Sequence, residues 1–181
     1  NSTDVVAVLE EMGCEGVGCD LFVYPCDLCG FADGFLRNGF VEVVAADFTG
    51  DGIPDLAVTS YDSPSRRGVI SVLPGLTTAG IANGTFGPRI DDNIGGAPLG
   101  LATAGLNGDG RPDLIVGDWA RNSVVVLTGA GGGNFAAPRL FAAGYRPYEV
   151  LAHDFNADGV FDIAVADNDE PAIRVLIGGT D

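Results

Sequence analysis

The chain has 181 residues, and its nine basic side chains, all Arg, stand against 25 acidic ones for a net charge of −16. That balance repels nucleic acid and anionic membrane surfaces, and no run approaches the roughly 20 apolar residues of a membrane-spanning helix. The length is enough for one domain with a buried core.

The numbering opens at Asn1 without a Met, as expected of a mature secreted chain whose targeting peptide has been removed. Val5-Val6-Ala7-Val8-Leu9 reads as a strand, and Cys14, Cys19, Cys26 and Cys29 follow it. An even number of cysteines in a secretory context points to two disulfides, with three connectivities open. Zinc is the alternative: Cys26 and Cys29 have ligand-pair spacing, but Cys14 and Cys19 are separated by four residues and no His is near. Haem attachment needs a His where Gly30 stands, and a thioredoxin-like redox role lacks its βαβ pattern.

From residue 43 the text repeats. Val43-Val44-Ala45-Ala46 leads into Asp-Phe-Thr-Gly-Asp-Gly-Ile-Pro-Asp-Leu at 47–56. Leu101-Ala102-Thr103-Ala104 leads into Gly-Leu-Asn-Gly-Asp-Gly-Arg-Pro-Asp-Leu at 105–114, and Val150-Leu151-Ala152-His153 into Asp-Phe-Asn-Ala-Asp-Gly-Val-Phe-Asp-Ile at 154–163. Repeats of roughly 40 to 50 residues holding several strands are propeller-sized, lengthened here by loop insertions.

Each loop is followed by two short apolar runs: Leu56–Val58 and Val69–Leu73, Leu114–Val116 and Val124–Leu127, Ile163–Val165 and Ile173–Ile177. They are short, rich in Val and Ile, and bounded by Gly, Asp, Asn and Ser, which predicts strands. Gly84-Thr85-Phe86-Gly87-Pro88 and Gly133-Asn134-Phe135-Ala136-Ala137-Pro138 read as turns opening a fourth, outer strand, where a Pro without an N–H is tolerated.

These motifs, in this order, resemble the FG-GAP/VCBS repeats of integrin-α-type β-propellers over residues 40 to 178. The resemblance implies an all-β fold of propeller-like blades and an adhesive role. Val5–Leu9 resembles the strand that ends each repeat, so about three blades are expected, whereas closed propellers have roughly four to eight. The expected architecture is an incomplete propeller in one domain: an N-terminal strand with a cysteine-rich insertion over 1–40, then repeats over about 41–98, 99–147 and 148–181. An unclosed stack leaves edges that invite pairing with another chain, including a head-to-tail filament.

The acidic residues concentrate in the repeated loops. Positions 1, 3, 5, 7 and 9 of such a loop can converge on one hard cation, position 7 through its backbone carbonyl, with Gly at position 6 allowing the sharp turn. The first set is Asp47, Thr49, Asp51, the Ile53 carbonyl and Asp55; the third is Asp154, Asn156, Asp158, the Val160 carbonyl and Asp162. All donors are oxygens, which selects Ca²⁺ over Zn²⁺. In the middle loop Gly105 takes position 1, leaving Asn107, Asp109, the Arg111 carbonyl and Asp113 and a weaker or water-completed site. Two strong calcium sites and one weaker one are expected.

Catalytic patterns are missing from the text. His153 is the single His, read as structural or solvent-facing. Gly-x-Ser-x-Gly and Ser-x-x-Lys do not occur, and the Gly-rich run at 129–133 lacks a following Lys-Ser/Thr and helix. Trp119, Tyr145 and Tyr148 form a candidate binding surface for a sugar or protein, with core packing as the plainer reading. Asn1-Ser2-Thr3 and Asn83-Gly84-Thr85 fit N-glycosylation acceptors.

The reading is a non-enzymatic, extracellular, calcium-binding structural or adhesion protein that associates with itself or with an extracellular protein or glycan, without nucleic acid and without membrane insertion. A carbohydrate-binding propeller module, or a fragment of a secreted polysaccharide lyase or hydrolase, is the alternative.

Overall fold

The computed structural model describes residues 40–62, 67–167 and 172–179, and those residues form strands, turns and loops with no helix. The predicted runs between Leu56 and Leu176 fall in strands, Ile177 stands just past the last of them, and Val5–Leu9 lies outside the described residues. In the first sheet β1 (Phe40–Ala46), β2 (Asp55–Asp62) and β3 (Arg67–Leu73) are antiparallel neighbours, and the chain then forms a small hairpin, β4 (Gly75–Thr78) with β5 (Ile81–Phe86), before the outer strand β6 (Ile90–Asn93) pairs with β3.

The second sheet repeats this plan. Strands β7 (Pro98–Ala104), β8 (Asp113–Asp118) and β9 (Ser123–Leu127) precede a short hairpin of β10 (Gly129–Gly131) and β11 (Asn134–Phe135), and β12 (Arg139–Ala142) closes the outside against β9. The third sheet holds β13 (Pro147–His153), β14 (Asp162–Asp167) and β15 (Ile173–Leu176). None of these sheets closes on itself. The Gly-x-Phe segments thus complete a hairpin before the outer strand starts, and Pro88 and Pro138 stand just ahead of that strand, where no ladder N–H is required.

The sheets are held together by apolar faces. Ala57, Ile70 and Val72 of the first sheet pack with Leu101, Leu114, Val116, Val125 and Leu127 of the second. The other face of the second sheet, Ile115, Val124 and Val126, packs with Val150, Ile163 and Val165 of the third. A strand buried on both faces needs apolar residues at consecutive positions, which is why β8 and β9 read as continuous runs and not as alternation. Burying each such side chain is worth about 1.5–3 kcal/mol.

Two backbone approaches set the spacing between sheets. A Cβ on Gly100 of β7 would lie 2.6 Å from the Tyr148 carbonyl oxygen and 2.9 Å from Glu149 Cα, so the first strands of the second and third sheets meet only because Gly100 has no side chain. The β10–β11 hairpin reaches back over the first sheet, where the Gly132 and Gly133 N–H groups donate to the Thr49 and Phe48 carbonyls at 3.0 and 3.1 Å. The Phe135 ring meets Phe48 edge-on at 6.0 Å, which seals the start of the first Asp-rich loop.

Candidate metal centre

Each Asp-rich loop joins the first two strands of a sheet, so all three lie at the same ends of their sheets. The turn is made by residues with positive φ. At position 6 these are Gly52 (φ 84), Gly110 (φ 83) and Gly159 (φ 87), as the motif predicts. At position 4 they are Gly50 (φ 82), Gly108 (φ 69) and, in the third loop, Ala157 (φ 60).

The carboxylates at positions 1 and 9 organise the backbone. In the first loop Asp47 Oδ1 accepts from the Gly50 and Asp51 N–H groups at 2.7 and 3.0 Å, and Oδ2 from Gly52 at 2.8 Å. In the third, Asp154 Oδ1 accepts from Asp158 at 3.1 Å and Oδ2 from Gly159 at 2.9 Å. The Gly159 bond, ahead of those from Asp158 and Ala157, holds the Asp154 carboxyl below the usual aspartate range.

At position 9, Asp55, Asp113 and Asp162 are fully buried. One oxygen of each accepts an N–H near the start of its own loop, from Thr49 at 2.7 Å, Leu106 at 2.8 Å and Phe155 at 3.0 Å. The other oxygen accepts from Gly75, Gly129 or Gly178, beyond the third strand. A Cβ on those glycines would stand 2.3, 2.5 and 2.4 Å from the carbonyl oxygens of Pro54, Pro112 and Phe161. This Asp–Gly latch escaped the reading of the loops alone. Its signal lay in the Gly that follows each third strand, as in Leu73-Pro74-Gly75 and Leu127-Thr128-Gly129.

Between these anchors the side chains of Asp51, Asn107, Asp109, Asn156 and Asp158 are exposed, while Thr49 is half-buried. Asp51 Oδ1 accepts from Ile53 N–H at 2.8 Å, and in the third loop Asn156 Nδ2 donates to Asp158 Oδ2 at 2.9 Å. The middle loop lacks the position-1 carboxylate, and Asn107 and Asp109 bond to each other there at 3.2 Å. Among the described residues no three His, Cys, Asp or Glu side chains stand gathered as a ligand cluster. The donor set of the outer loops nonetheless fits a hard cation. Every donor is an oxygen, Asp47 Oδ2 keeps a second lone pair beside the Gly52 N–H it accepts, and the exposed side chains of Asp51, Asn156 and Asp158 have room to turn inward. Asp47, Thr49 and Gly50 also line a cleft of about 460 Å³ shared with Arg111 and Pro112 of the middle loop, so the first loop is reached from solvent.

The aromatic candidates lie at the opposite ends of the strands. Trp119, in the turn from β8 to β9, carries the Arg146 guanidinium 4.5 Å over its ring, and the same guanidinium is 5.3 Å from the Tyr145 ring. The cluster ties the second sheet to the connection entering the third, while Tyr145 and Tyr148 remain about half exposed. His153 stacks edge-on against Phe155 at 5.3 Å. Asn83 lies in β5. Cys14, Cys19, Cys26, Cys29 and Asn1 lie outside the described residues, as does Val5–Leu9.

No curated protein matches the chain by sequence. Residues 40–73 match the FG-GAP repeat, and residues 105–165 match the FG-GAP-like repeat. The two segments span β1 through β3 of the first sheet and, in the second and third sheets, the stretch from the middle Asp-rich loop into β14. The chain therefore carries repeats of the FG-GAP family.

Proposed function

We propose that the chain is a secreted, non-enzymatic repeat module of the adhesion type, built as about three propeller-like blades that calcium holds in shape, and that it associates with copies of itself. FG-GAP repeats are typical of extracellular or surface proteins and are typically non-catalytic structural or adhesion modules. On this reading residues 41–98, 99–147 and 148–181 are successive repeats of one domain.

The oxygen-only loops support the calcium part. Bound calcium would draw together Asp47, Thr49, Asp51, the Ile53 carbonyl and Asp55 in the first loop and Asp154, Asn156, Asp158, the Val160 carbonyl and Asp162 in the third. It would also neutralise carboxylates that otherwise repel one another. With Kd near 0.1 mM and free calcium near 1 mM, as outside cells, each site stabilises the fold by about 1.4 kcal/mol.

One observation carries the self-association. Ile70 and Val124 are fully buried by the next sheet, while Ile173, at the same register position of the third sheet, is 77% exposed. Val175 is about half exposed where Val72 and Val126 are buried, and Leu151 and Ile177 extend the patch. In the first two sheets this face is covered by a sheet of the same kind, and a second copy of the chain supplies one. β15 also pairs with β14 alone among the described residues, whereas β3 and β9 each hold a fourth strand.

Light scattering in calcium tests this. Wild type is expected to run as a dimer or longer assembly, and Ile173→Ser with Val175→Ser as a folded monomer whose melting temperature, unlike that of wild type, does not depend on protein concentration. A monomeric wild type would overturn the association, and a melting temperature indifferent to calcium and chelator would separately overturn the calcium staple.

A further inference from the structure

The β4–β5 hairpin is the structural counterpart of β10–β11, yet the two are placed differently. The shorter β10–β11 hairpin is tucked onto Phe48 and Thr49, whereas β4–β5 is exposed from Leu76 through Thr85. Within it stands Asn83-Gly84-Thr85, the acceptor pattern for attachment of an oligosaccharide to an asparagine amide.

We propose that Asn83 is a glycosylation site. Its side chain and that of Thr85, the two that define the acceptor, already face each other: the Thr85 hydroxyl donates to Asn83 Oδ1 at 2.7 Å and the Thr85 N–H to the same oxygen at 2.9 Å. Asn83 Nδ2 donates to the Thr78 hydroxyl at 3.1 Å across the hairpin, which holds the amide at the surface. Gly84 between them has φ 79, and a Cβ there would meet nothing within 4 Å, so the middle of the motif is open to an enzyme from outside.

The chemistry is closed without oxidant or reductant. The Asn83 amide nitrogen bonds to the anomeric carbon of an oligosaccharide carried on a lipid diphosphate. The carbon–oxygen bond to the diphosphate breaks, the diphosphate leaves with the electron pair, and the amide proton passes to a base of the transferase.

The glycan has something to cover. Ile81 is 73% exposed and Leu76 is 42% exposed, beside a shallow apolar groove of about 210 Å³ formed with Ile53, Pro54 and Phe86. An exposed apolar hairpin with a free strand edge invites unwanted pairing, and a bulky hydrated sugar on β5 blocks it.

The test is secretion of the full chain from a eukaryotic cell line, followed by mass mapping of its peptides. This separates Asn83 from the second acceptor pattern at Asn1. The expected result is a glycan on the Asn83 peptide of the wild type, removed by peptide N-glycosidase to leave Asp. It is lost in Asn83→Gln and Thr85→Ala and kept in Thr85→Ser, all three variants retaining the wild-type melting curve. An unmodified Asn83 peptide from the secreted wild type, or a glycan that persists in Thr85→Ala, overturns the assignment.

Discussion

The Gly75 N–H donates to Asp55 Oδ1 at 2.7 Å, and the same bond joins Gly129 to Asp113 and Gly178 to Asp162, each at 2.8 Å. A fully buried carboxylate thus fastens every Asp-rich loop to the chain leaving the third strand. Position 9 of the motif has a structural task that does not depend on an ion.

Asp55→Ala separates the two roles. It leaves the buried Gly75 N–H and the half-buried Thr49 N–H without acceptors at about 1–3 kcal/mol each, so a loss of about 2–6 kcal/mol is expected in urea unfolding, in chelator as well as in calcium. Asp47→Ala, at a half-buried loop position, is expected to cost less in chelator and to lose most of its calcium-dependent gain. Asp55→Ala matching wild type in chelator would contradict the latch.

Gly105→Asp restores the carboxylate that the middle loop lacks. A Cβ there would lie 3.7 Å from the Arg111 carbonyl oxygen, an ordinary contact, so the loop has room. Calcium at ten times its Kd is expected to add about 1.4 kcal/mol to this variant beyond wild type. Calorimetric melting with and without calcium measures the difference, and equal calcium shifts in the two proteins would refute it.

Ala157 occupies with φ 60 the position that Gly50 and Gly108 fill in the other loops. An L side chain in that region is strained, so Ala157→Gly is expected to stabilise by about 0.5–1 kcal/mol and Gly50→Ala to destabilise by a similar amount, although nothing lies near its Cβ. Denaturant midpoints of the two variants should move in opposite directions.

Glu42 of β1 and Glu149 of β13 occupy matching places in the first strands of two sheets, with Gly100 in the corresponding place between them. Desolvation, and then repulsion from Glu149, raise the Glu42 pKa above 4.5. The folded state therefore holds its proton more tightly than the unfolded chain. The stabilisation is complete below pH 4.5 and is lost as pH rises through the raised value. Glu42→Gln removes this dependence, so its advantage over wild type should grow from acid to neutral pH and vanish below pH 4.5. A stability difference independent of pH would exclude the effect.

The alternation of glycine-bearing acidic loops with short Val- and Ile-rich runs determined, before any coordinates, that this is a repeating antiparallel β protein. Loops and strands are local, since turn residues and apolar runs act over a few positions, and so β2, β3, β8, β9, β14 and β15 fall where the text places them. The tertiary structure decided what the loops are fastened to and which apolar residues stay bare. The acceptor on Asp55 and its donor on Gly75 are 20 positions apart and meet only when the strands between them fold back. Ile70, Val124 and Ile173 look alike in the sequence, and their burial differs because burial depends on the neighbouring sheet and not on the residue itself.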